Sequence, residues 1–95
     1  MTPLDSTARR QLEAYLDNLR FQQRLSPHTL AAYGRDLHRL ETYCATRNIA
    51  AWRDLQPRDL REHLAERHRQ PVGSRSLQRE LSAIRGLFAY LIKQG

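Results

Sequence analysis

The side chains of this chain best equipped for chemistry are its cations. Sixteen basic residues face ten acidic ones, a formal net charge of +6, and fifteen of the sixteen are arginine, with Lys93 the single lysine. A guanidinium is a planar fork of donors that matches phosphate oxygens and guanine edges. A GC-rich genome would account for arginine over lysine, but not for the excess of positive over negative charge. That excess favours a polyanionic partner if the charges share a surface. Catalytic chemistry finds less support. His28, His38, His63 and His68 show no metal-ligand spacing; His63 and His68, five apart, do not align on one helix face. There is no glycine-rich phosphate loop, and no Ser/His/Asp arrangement can be built from scattered residues. Neither a metal nor a cofactor is expected. Tyr15, Tyr33 and Tyr43 project near apolar stripes and read as structural, whereas Tyr90, at the edge of the outer strip of its helix, is placed equally to touch a partner or to pack at the core rim.

Length and composition set the frame. Ninety-five residues with 40% hydrophobic content suit one globular domain. Cys44 is the only cysteine, so no internal disulfide can form and a reducing, cytoplasmic setting is expected. Residues 1–10 have no apolar core of a signal peptide. The longest apolar run, residues 87–92, falls far short of the ~18–20 needed to span a membrane.

Strand signals are nearly absent, and four helices are expected. The first covers about residues 7–24, with Asp5, Ser6 or Thr7 as cap and a stripe of Leu12, Tyr15, Leu16 and Leu19; Phe21 lies opposite that stripe. The second starts where Ser26 caps and Pro27 occupies the first helical position. It runs to about Arg47, buries Leu30, Tyr33, Leu37, Leu40 and Cys44, and stops at Asn48. Trp52 and Leu55 follow in a linker that inserts into the core. A third helix runs from about Pro57 to His68, poorly capped by Gln56, with Leu60 and Leu64 as anchors and charges of mixed sign outside. After a turn at residues 70–73, a fourth runs from Ser74, as cap, to about Lys93, with Leu77, Leu81, Ile84, Leu87, Phe88, Leu91 and Ile92 as its apolar face.

These helices position the arginines. On the second, the stripe spans about 80°, and His28, Arg35 and Arg39 lie opposite it within about 20° of one another. Ala31, Ala32, Thr42 and Thr46 share that outer face, while Asp36 and Glu41 fall on its flanks. On the fourth, Arg75, Arg79, Ser82, Gly86 and Lys93 lie opposite the apolar face, flanked by Gln78, Arg85, Ala89 and Tyr90. Its one acid, Glu80, points toward the apolar side. A single basic outer face commonly does no more than solvate a helix. Two acid-free strips in a chain of +6 point to nucleic acid, with small residues admitting a phosphate chain and arginine and glutamine reaching it.

Two stretches carry a family resemblance. Arg24-Leu25-Ser26-Pro27-His28-Thr29-Leu30, followed by Tyr33, Asp36 and Leu37, resembles the start of the core-binding domain of tyrosine site-specific recombinases. Ser76-Leu77, Arg79, Leu81 to Arg85, Phe88, Tyr90-Leu91 and Gly95 resemble its last helix, before a linker. The order and spacing also suit this phage-integrase family, most of all the branch that resolves bacterial chromosome dimers. The resemblance covers essentially the whole chain. It implies an all-α, four-helix SAM-like orthogonal bundle, one domain over residues 1–95, forming half of a clamp around duplex DNA. It implies DNA contacts from Arg35 and Arg39 on the second helix and from Arg75, Arg79 and Ser82 on the fourth, with His28, Thr29, Gln78, Arg85 and Lys93 added. The nucleophilic tyrosine and its supporting arginines, lysine and histidines would lie in a C-terminal catalytic domain absent from this chain, so none of its own tyrosines is a nucleophile. The parent enzyme would be cytoplasmic and nucleoid-associated, acting with a paralogous partner recombinase and a DNA translocase.

Two other function classes make different expectations. A helical protein-interaction module would expose an apolar patch, with Phe21 a candidate member. A helix-turn-helix regulator would need a short turn between two helices and a recognition helix in the major groove; the long connection holding Trp52 argues against it for the second and third helices. If DNA binding is right, Arg35→Ala combined with Arg79→Ala should weaken it while leaving the helical signal intact.

Overall fold

A computed structural model describes residues 5–21, 25–70 and 72–94. Among these residues are four helices in the order expected, α1 (Ser6–Phe21), α2 (Pro27–Thr46), α3 (Pro57–His68) and α4 (Ser74–Gln94), and a 3-10 turn at Trp52–Asp54. Among the described residues there is no strand. None of these helices is long and apolar enough to cross a membrane.

Local chemistry accounts for most boundaries. Asp5 begins α1, its Oδ1 accepting from the Ala8 amide at 2.7 Å. The described part of the helix reaches Phe21, and the expected end near Arg24 lies outside the described residues. Ser26 caps α2 as expected, its Oγ accepting from the Thr29 amide at 3.2 Å, with Pro27 in the first turn. At the other end Asn48 takes φ 59°, the left-handed conformation that asparagine tolerates. The Ile49 amide then donates back to Cys44 O at 2.9 Å, and Asn48 N to Ala45 O at 3.4 Å, closing a Schellman motif with Ile49 and Cys44 both buried. Gln56, a weak cap by itself, is helped by Asp59, whose carboxylate accepts from the Gln56 amide at 2.8 Å. Ser74 was expected as the cap of α4 but is its first residue. The Gly73 carbonyl accepts from the Leu77 amide, which makes Gly73 the cap. Of the expected turn at residues 70–73, Pro71 lies outside the described residues, as does Gly95.

The core gathers Ala8, Leu12, Tyr15 and Leu19 of α1, Leu37, Leu40 and Cys44 of α2, and Ala83, Ile84 and Leu87 of α4, with Ile49, Trp52 and Leu55 from the connection. Trp52 inserts as expected. Its Nε1–H donates to Ala8 O at 2.9 Å, and Phe88 meets its ring edge-on at 6.4 Å. Burial pushes the Cys44 thiol up to about 12, which leaves it a small core hydrophobe.

Three expectations from helical projection are corrected. Ala32 and Asp36 are buried, not an outer residue and a flank. The buried arc of α2 is wider than its leucine stripe because α4 packs along that side. Ile92, assigned to the apolar face of α4, is instead among the most exposed hydrophobics, at 80%. The buried arc there centres on Glu80, Ala83, Ile84 and Leu87, rotated away from Ile92.

Candidate nucleic-acid interface

That rotation redistributes the expected site residues. Around α4, Arg75, Gln78, Ser82, Arg85 and Lys93 are exposed, whereas Arg79 and Gly86 turn toward neighbouring helices. Gly86 does not serve close approach by a partner. A Cβ there would land in the hydroxyl of Tyr15, which lies over the glycine and donates toward Ala83 O. Burial pushes that hydroxyl up to about 12. Tyr90 packs beside Tyr15 with ring centroids 5.6 Å apart, so it completes the core rim.

Around α2, His28 and Arg35 are exposed. Thr29 is occupied with the cap: its amide donates to Ser26 Oγ, and the Ser26 hydroxyl donates to Thr29 Oγ1 at 3.0 Å. Arg35 lines a shallow concavity with Ala31, Gly34, His38 and Arg39. A Cβ on Gly34 would meet nothing within 4 Å. A glycine inside a helix costs about 1 kcal/mol relative to alanine. Gly86 has an intramolecular reason for it, and Gly34 has none.

The acids explain why the strips are free of negative charge. Between them α2 and α4 carry three. Asp36 is fully buried and accepts from Arg79 Nε at 2.8 Å and Nη2 at 2.9 Å, and from Arg39 Nη1 at 2.8 Å. These bonds hold the Arg79 guanidinium above its ordinary value, although burial works against them. Glu80 is also fully buried, accepting from His63 Nε2 and Arg67 Nε of α3, each at 3.0 Å. Burial pushes its carboxyl up, but the two hydrogen bonds and the charges behind them outweigh that and hold it below the usual carboxylate range. Glu41 is only 13% exposed and is shared between Arg9 and His38, each at 3.1 Å. Among the described residues, Arg35, Arg75, Arg85 and Lys93 make no ion pair and stay exposed. Arg53, Arg58 and Arg61 are also exposed and unpaired, but stand off these two helices. No group of described residues could hold a metal ion.

Arg79 therefore has a task that the sequence expectation missed. Removing one partner of a buried pair leaves an uncompensated charge and costs roughly 3–5 kcal/mol. Arg35→Ala with Arg79→Ala would perturb the fold, so the combination does not isolate binding. The signal for this was present: an acid bordering a leucine stripe, with an arginine three residues on. Likewise Glu80, pointing inward, demanded a buried partner, and His63 and Arg67 stand one helical turn apart to supply it. The connection between α2 and α3 spans residues 47–56. It is too long for the turn of a helix-turn-helix. Phe21 is exposed as the interaction-module reading expected, but the Arg20 guanidinium covers its ring at 5.4 Å.

Comparison with known proteins agrees with this architecture. Over 85 residues the chain is 53% identical to "Tyrosine recombinase XerC" of Stutzerimonas stutzeri (strain A1501), covering 90% of this chain and 28% of that protein. It is 51% identical over 86 residues to the same-named protein of Pseudomonas putida (strain W619), covering 90% and 29%. The chain thus spans less than a third of the length of these relatives. No solved structure matches it. The family model "Phage integrase, N-terminal SAM-like domain" matches residues 12–95, and the chain belongs to that family.

Proposed function

We propose that the outer faces of α2 and α4 grip duplex DNA, and that the chain is the core-binding part of a XerC-like tyrosine recombinase. The observation that carries this reading is the treatment of charge. All three carboxylates of the two helices are taken up in ion pairs, while Arg35, Arg75, Arg85 and Lys93 stay outside. A surface so sorted repels no phosphate and offers several cations to the backbone, the sequence-independent part of DNA affinity. Gln78 and Ser82 add neutral donors between Arg75 and Arg85 on α4, and His28 extends the α2 side. Arg39 and Arg79 contribute from the seam between the helices.

In this reading the chain binds and orients DNA and carries no chemistry. Strand cleavage by a tyrosine, through a 3′-phosphotyrosyl link, belongs to the catalytic part of the full-length enzyme. That enzyme acts in the cytoplasm, at the nucleoid. It pairs with a paralogous XerD-type recombinase on two DNA sites, is activated by a DNA translocase, and needs no metal or nucleotide. Its task is chromosome dimer resolution.

Fluorescence anisotropy with a labelled ~30-base-pair duplex at several salt concentrations tests the DNA-binding core of the reading. Neutralising about four to six phosphates gives a slope of log affinity against log salt near −4 to −5. Arg35→Ala with Arg75→Ala, both off the ion-pair network, should flatten it by about 2. A flat salt response in the wild-type chain would refute the reading and favour a protein partner.

A further inference from the structure

The Asp36 cluster holds more positive charge than the fold needs. Arg79 alone engages both carboxylate oxygens, through Nε on Oδ2 and Nη2 on Oδ1. Arg39 then adds a second guanidinium to the occupied Oδ1. Two cations on one anion leave a net positive charge at the α2–α4 seam. The carboxylate is sealed at 0% exposure, while the side chains of Arg79 and Arg39 remain 31% and 35% exposed. The residual charge therefore has water, or a ligand, as its outlet. Each guanidinium carries five N–H donors in a fixed plane. The bonds to Asp36 leave Arg39 Nε and Nη2 and Arg79 Nη1 unengaged among the described residues.

We propose that Asp36 is a positioning residue for DNA: it locks Arg39 of α2 and Arg79 of α4 into one preformed fork that receives a single backbone phosphate of the duplex. This rests on the DNA-binding reading above and adds a residue to it. An arginine free in solvent must give up rotamer freedom when it meets a phosphate. Here Asp36 has already fixed both side chains, and fixed them relative to each other, because one comes from each helix. A phosphodiester carries one negative charge, which matches the single charge left over on the fork. The adjoining concavity of Ala31, Gly34 and Arg35 gives the phosphate chain room beside Arg39.

Asp36→Asn separates positioning from simple electrostatics, because the two predict opposite signs. The substitution raises the formal net charge from +6 to +7. If Asp36 merely neutralises arginine, binding to the labelled ~30-base-pair duplex tightens. If Asp36 positions the fork, binding weakens and the salt slope becomes shallower by about 1 to 2, the loss of one or two arginine–phosphate contacts. A purely structural role would lower the folded fraction, measured in parallel by urea denaturation, and leave the slope of the folded protein unchanged. An unchanged or steeper slope overturns the proposal. Should Asp36→Asn fail to fold, Arg39→Gln keeps the Arg79–Asp36 pair and should flatten the slope by about 1, and an unchanged slope there overturns it equally. A wild-type chain without salt-dependent binding removes both this inference and the reading beneath it. A wild type that binds while both variants match it removes this inference alone.

Discussion

Two fully buried carboxylates, Asp36 and Glu80, sit on the helices that frame the candidate interface, and each takes two basic partners. Their surroundings differ. Glu80 is closed in: His63 is 6% exposed, Arg67 is 12%, and the Tyr43 ring packs over His63 at 5.3 Å. Asp36 is closed only from within, since a third of each of its arginines meets solvent. The same chemistry thus joins α3 to α4 in one place and arms a surface in the other. Burial of the partners separates a tie that only holds helices together from one that can also present charge.

The sharpest way to break this comparison is to remove one partner from each cluster. Arg67→Ala leaves Glu80 short of a buried partner and should cost roughly 3–5 kcal/mol in urea denaturation. Arg39→Ala leaves the two-point Arg79 contact in place and removes a partly solvated pair, so about 1 kcal/mol or less is expected. Equal losses would abolish the distinction. Acid sharpens it further. The Glu80 carboxyl is held below its ordinary value of 4.5, so its contribution is complete above that value. It is lost as pH falls through the lower folded value. Urea midpoints of the wild type should drop over that acid range, and Glu80→Gln should remove this part of the drop.

The two mid-helix glycines give a second contrast with smaller effects. Gly86→Ala forces a methyl group against buried Tyr15 and should destabilise by about 1–3 kcal/mol. Gly34→Ala meets open space and should stabilise by about 0.4–1 kcal/mol. If DNA approaches that stretch of α2, the stabilised variant should nonetheless bind the duplex more weakly in anisotropy titrations. The smallest effect on the fold belongs to Arg85→Ala. It should change stability by no more than about 0.5 kcal/mol. Its salt slope should still be shallower by about 0.9 if the exposed face of α4 contacts phosphate.

Most of the fold was legible because it depends on local chemistry. Ser26-Pro27 announced the start of α2, Asn48 its end, and the leucine periodicities the core faces. Trp52 stood out as an aromatic in a linker with only the core to occupy. The site was half legible. Arg35, Arg75, Gln78, Ser82 and Arg85 face outward as their spacing implied. Arg79 and Gly86 were misplaced because apolar residues alone set the assumed centre of each buried face. Asp36 and Glu80 lie inside those faces, and a charge enters a core only when a partner from another helix meets it. That pairing crosses 43 residues between Asp36 and Arg79 and 17 between Glu80 and His63, distances over which periodicity carries no information.

The seating of Trp52 has a practical consequence. It is the chain's single tryptophan, nearly inaccessible to water, with its N–H on the Ala8 carbonyl of α1 and Phe88 of α4 against its edge. Its surroundings include none of the side chains assigned to DNA. The molecule therefore contains its own optical gauge of integrity. Indole emission should shift to the red when α1 parts from α4 and hold steady when a nucleic acid settles on the outer faces of α2 and α4, so unfolding can be told apart from ligand binding without a label on the protein.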